Sequence, residues 1–83
     1  MTGLDDNLHE ALIDEAGVDT FATAMKTKLA KKRSEGRGGW AHPTECSQDA
    51  LLGMLKKHID KGDMVDIGNL AMMIFNRQQS GLD

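Results

Sequence analysis

"KGDMVDIGNLAMMIFNR", Lys61 to Arg77, decides how this chain folds. Gly62 is the residue type that closes a helix in the left-handed conformation, and Asp63 is a strong helix N-cap. One helix therefore ends at Lys61–Gly62 and another starts within a residue or two. So short a connection predicts an antiparallel helical hairpin. Asp66, three residues after Asp63, is placed as a short-armed capping-box partner.

The helix that follows, Met64 to about Gln78, is apolar around most of its circumference. Val65, Ile67, Gly68, Leu70, Ala71, Met72, Ile74 and Phe75 leave only a narrow polar strip of Asp66, Asn69, Asn76 and Arg77, with Met73 among them. A helix apolar nearly all round is a buried one. In a chain this short it is either the central helix or partly covered by a second copy or a partner. Gly68 costs up to ~1 kcal/mol in a helix interior, so it implies the close approach of another backbone. Gly68, Met72 and Phe75 are therefore the expected surface of a two-fold homodimer. The alternative is that Gly68 packs on Leu51 or Leu55 within the monomer.

Upstream of Lys61 the same reasoning gives a helix start at Ser47, with Asp49 in the first turn and Cys46 stapled on Leu51. Leu51, Leu55 and Ile59 form its apolar stripe. Further upstream, Phe21, Met25 and Leu29 recur every fourth residue, so a helix runs from Asp19 or Thr20 to about Glu35 and ends at Gly36. Leu4, Leu8, Ala11 and Leu12 predict another from Asp5 to Ala16, stopped by Gly17. No stretch alternates with the period of a strand. The expected fold is thus all-α: one domain over residues 1–83, a small bundle of about four helices. Its segments are an acidic first helix (1–19), a basic helix (20–35), a Gly/Trp loop (36–46) and the hairpin (47–79).

Charge is segregated along the chain. Residues 2–19 hold six acids and no Lys or Arg, although the whole chain has a net charge of only −3. Lys26, Lys28, Lys31, Lys32, Arg33 and Arg37 follow, with Glu35 the sole acid among them. Cations in the last turn of a helix complement its dipole, which accounts for the cluster without any ligand. The functional reading is a phosphate-binding surface made by Lys28, Lys31, Lys32, Arg33 and Arg37, with Trp40 stacking on a base. For Trp40 a second role is preferred: a lid over the end of the hairpin, delivered by the glycines that precede it. The Gly36–Arg37–Gly38–Gly39 run follows a helix and stands seven residues before the next, so it is no phosphate loop.

Catalytic and metal chemistry find little footing. Cys46, the only cysteine, excludes a disulfide framework and suits a reducing compartment. Cys46, His42 and His58 lack zinc-ligand spacing, and His9, His42 and His58 lie near no nucleophile in sequence. Nothing requires a cofactor. Asp63 and Asp66 alone have the three-residue spacing found in the Mg²⁺-binding, all-α nucleotide pyrophosphohydrolases of the MazG-like class, which they resemble in part. That class pairs them with an ExxE on an earlier helix. Glu10, Asp14 and Glu15 do not have that spacing, so the resemblance stops at half a site.

The stretches "KLAKKRSEGRGGW" and "ECSQDALLGMLKKHIDKGDMVDIGNLAMMIFNR" together resemble a signature of small accessory proteins of tailed phages and prophages, over about residues 21–77. That resemblance implies a phage-encoded protein working in the bacterial host cytoplasm, with no activity or catalytic residues attached. The acidic N-terminal basic-poor start and the shortness of the apolar run Leu70–Phe75 also point away from a signal peptide or a bilayer span. The expected function is a non-enzymatic accessory protein that binds a host or phage macromolecule. A host or phage protein is the first expectation for its partner, with nucleic acid the alternative and no membrane involved.

Overall fold

A computed structural model describes residues 3–81, and the surroundings of side chains from Asp6 onward. Leu4, expected as the first apolar position of the N-terminal helix, has its side chain outside that range. The described residues form three helices and no strand: α1 (Gly3–Ser34), α2 (Gln48–Lys61) and α3 (Met64–Ser80).

The two expected N-terminal helices are one. Gly17 is not among the glycines with positive φ, which are Gly36, Gly39, Gly62 and Gly81. It continues the helix, and Asp19 and Thr20 sit inside it rather than capping a new one. Gly permits a left-handed stop without enforcing it. The residues on both sides are good helix formers, and restarting a helix means forming a costly new nucleus. One glycine inside α1 is the smaller penalty.

The true end of α1 is at Gly36. Its φ is +88°, its N–H donates to Arg33 O (3.0 Å), and the Arg37 N–H donates to Lys32 O (3.0 Å). This is a Schellman closure, which needs a residue free of a Cβ at the left-handed position. Ser47 caps α2 by accepting from the Ala50 N–H (3.0 Å), and Gly62 closes it at φ +76° with its N–H on His58 O and Ile59 O. Asp63 Oδ1 then accepts from the Val65 and Asp66 N–H groups, both at 3.1 Å, and opens α3.

α3 is the middle element, packed on α2 and on α1. The core is thin. Among the described residues, Leu51 and Leu70 are its buried apolar side chains, joined by the polar Asn69 and Arg77. The radius of gyration is 16.2 Å and the extents are 54 × 28 × 24 Å. A compact chain of this length would have a radius of gyration of roughly 12 Å. The excess is α1, whose residues 6–20 are exposed on every side while the remainder of the helix lies along α3.

Candidate functional site

Residues 35–47 leave α1 at the N-terminal end of α3 and reach α2 at the other end of the hairpin. A groove of about 450 Å³ lies between this segment and the helices. Its floor is apolar, made by Leu29, Leu51, Met54, Leu70 and Met73. Lys32, Arg33 and Arg37 from the end of α1 and the turn after it also line the groove, with Trp40 and His42 from the segment and Asp66 from α3. Four of the six residues expected to bind, Lys32, Arg33, Arg37 and Trp40, therefore come together. Their convergence follows from the Schellman turn, which reverses the chain directly after the basic turns of α1.

Lys28 and Lys31 are elsewhere. Lys31 is exposed and does not line the groove. Lys28 Nζ lies 2.9 Å from Asp63 Oδ2 and 3.1 Å from Asp66 Oδ1, tying α1 to the start of α3. The ammonium and the N-cap hydrogen bonds together hold the Asp63 carboxyl down at about pKa 2, and the two carboxylates raise Lys28. Asp66 Oδ2 faces His58 Nε2 at 3.7 Å. Asp66 thus spends its oxygens on a lysine and a histidine instead of reaching back as a capping-box partner. The space between the two carboxylates, where the pyrophosphohydrolase resemblance would put a metal ion, holds the Lys28 ammonium. Among the described residues no three His, Cys, Asp or Glu side chains gather as a metal site.

The segment is held by a residue of the narrow polar strip of α3. Arg77 is 2% exposed, and its Nη1 donates to Trp40 O (2.8 Å) and Cys46 O (2.6 Å). It fastens both ends of the turn 40–46 to α3. Asn69, from the same strip, is 3% exposed and donates from Nδ2 to Met25 O (3.3 Å). Its Oδ1 is buried and accepts no hydrogen bond from the described residues. Asp66, Asn69, Met73 and Arg77 are spaced as one helix face. That face turns inward, and the signal was available: isolated polar residues in a strongly apolar helix are the ones that need buried partners.

Trp40 is half-buried, with its backbone anchored by Arg77 at the open end of the α2–α3 hairpin. Gly39 supplies the turn before it at φ +85°, and a Cβ there would press on Glu45. Cys46 Sγ turns to Ser47 O at 3.9 Å and His58 Nδ1 to Met54 O at 2.9 Å, so each is engaged with nearby backbone. His9 is exposed far out on α1.

Gly68 has its packing reason inside the chain. A Cβ at that position would run into the ring of Phe21, so the glycine makes room for an aromatic side chain of α1 and not for Leu51 or Leu55. Met72 is half-buried and Phe75 is 59% exposed. No helix among the described residues is long and apolar enough to cross a membrane. Compared with known protein families, curated proteins and solved structures, the chain matches none.

Proposed function

We propose that this chain is a non-enzymatic accessory protein that captures an acidic, partly apolar segment of a partner protein in the groove beside Trp40. The observation that carries the reading is the pairing of an apolar floor with cationic side chains. Leu29, Leu51, Met54, Leu70 and Met73 offer burial, while Lys32, Arg33 and Arg37 offer charge to the same groove. The phage resemblance supplies the setting: a bacterial cytoplasm, a host or phage protein as partner, and interference with a host defence as the outcome.

A second reading, single-stranded nucleic acid, is favoured by one specific feature, the placement of Trp40 within a cationic groove, where a base can stack. The two are separable by titration followed through Trp40, the only tryptophan. A synthetic acidic amphipathic peptide should shift the Trp40 emission, and Arg33→Glu with Arg37→Glu should abolish that shift. A shift produced by oligothymidylate instead, falling steeply with salt, would transfer the function to nucleic acid. No response to either probe would remove the groove as a binding site.

A further inference from the structure

The exposed half of α1 has a surface and a charge that fit one occupant. Positions 8, 11, 15, 18, 22, 25, 29 and 32 advance by threes and fours and form one seam along the helix. They are Leu, Ala, Glu, Val, Ala, Met, Leu and Lys. Ala22, Met25, Leu29 and Lys32 are half-buried, in the half of α1 that runs along α3. Leu8, Ala11, Glu15 and Val18 continue the same seam past the end of that contact and are exposed. Leu8 is 62% exposed, Val18 66%, and the neighbouring Leu12 58%. A helical extension of this length is marginal in water without packing.

Charge names the partner. The arm carries Asp6, Glu10, Asp14, Glu15 and Asp19 and no Lys or Arg. From residue 20 onward the chain has all ten of its Lys and Arg against seven acids, a net charge of +3. On α1 itself, Lys26 and Lys31 are exposed and outside the groove. Two copies of α1 laid antiparallel place each acidic arm along the other's basic half, and the opposed helix dipoles add to the attraction. A parallel pair would set acid on acid. Where α1 rests on α3, Phe21 covers Gly68, and Phe75 lies two turns further along the same face of α3. Both rings keep exposed surface, 39% and 59%, ready for an incoming apolar arm.

We propose that the acidic arm of α1 (residues 6–20) is a dimerisation element, which packs antiparallel along α1 of a second copy about a two-fold axis. The contact is isologous, so each protomer gives an arm and receives one. The exposed cations it engages, Lys26 and Lys31, lie outside the groove, so its test by charge reversal leaves the groove residues unchanged.

Charge exchange between two variants tests it by sedimentation. The wild type should be a dimer at tens of micromolar. An arm-reversed chain (Glu10→Lys, Asp14→Lys) and a body-reversed chain (Lys26→Glu, Lys31→Glu) should each dimerise about 100-fold more weakly, since four exposed attractions become repulsions. Mixed in equal amounts, they should form a one-to-one heterodimer and recover the helical circular dichroism of the wild type. That recovery separates a lost interface from a failure to fold. A monomeric wild type at 100-micromolar concentrations, on the order of the protein levels such dimers need, would overturn the proposal. So would a dimer unchanged by either reversal, or a mixture that stays monomeric.

Discussion

Arg77→Met is the change that most directly tests how the groove is built. The guanidinium donates from Nη1 to Trp40 O and Cys46 O at 2.8 and 2.6 Å, and the side chain is 2% exposed. A hydrogen bond to a charged group contributes about 1.5–3 kcal/mol, so the two together bound the loss at about 6 kcal/mol. Methionine has similar length and spares the desolvation of a buried charge, which returns part of that loss. It still leaves two carbonyls without a donor, each costing about 1–3 kcal/mol. The expected net loss is about 3 kcal/mol. For a domain of this size that lowers Tm by about 12–24 °C. Two readouts should move together. Thermal melting by far-UV circular dichroism reports the helices, and Trp40 emission, red-shifted by solvent, reports the segment alone. Arg77→Lys, which keeps one cationic donor, should lose less in both. A variant within ~0.5 kcal/mol of wild type, the level of an ordinary surface substitution, with unchanged Trp40 emission, would refute Arg77 as the anchor.

Gly17→Ala should stabilise the protein by up to about 1 kcal/mol and raise its helical signal, because Gly17 lies within α1 with open space around it; a loss of stability in a melt would restore Gly17 as a helix stop. Asp63→Asn keeps an N-cap oxygen and removes the charge that meets Lys28. Since the folded carboxyl sits near pKa 2, below its ordinary 3.8, its contribution is complete above about pH 4 and is lost as the pH falls towards 2. Wild-type Tm should therefore drop more than that of Asp63→Asn across that window, and parallel curves would show that the pair with Lys28 contributes nothing.

The hairpin was legible because its boundaries are written in local chemistry. Ser47 and Asp63 accept from the first-turn amides of their helices, and Gly62 adopts the left-handed closure. Each of these acts within four residues, so a linear string contains the whole argument. The merged α1 was not legible for the same reason in reverse. Gly17 has the chemistry of a stop, but whether it stops depends on the cost of nucleating another helix and on whether anything packs across the break. A Cβ at Gly17 would meet nothing within 4 Å. The basic residues of the groove fall between these cases. Lys32, Arg33, Arg37 and Trp40 are close in sequence and line one groove, whereas Lys28 belongs to a pair 35 residues away.

The polar strip of α3 shows why counting apolar residues located the central helix without saying which of its faces turns inward. Hydrophobicity ranks what gains by leaving water, and by that rank Asp66, Asn69 and Arg77 should face out and Met64 and Phe75 in. The opposite holds: Met64 is 60% and Phe75 59% exposed, against 3% for Asn69 and 2% for Arg77. The decision rests with the thirteen residues from Glu35 to Ser47, which have no regular ladder to absorb their backbone groups. Carbonyls such as those of Trp40 and Cys46 must find donors if the segment is to close over the hairpin, and only a long cationic side chain on the inward face reaches both. Similarly, the Met25 carbonyl of α1 receives the Asn69 amide where the two helices meet. The inner face of α3 is therefore selected by the hydrogen-bonding demand of its neighbours. The apolar residues displaced to the outside, Phe75 foremost, form a surface that burial within one chain does not use.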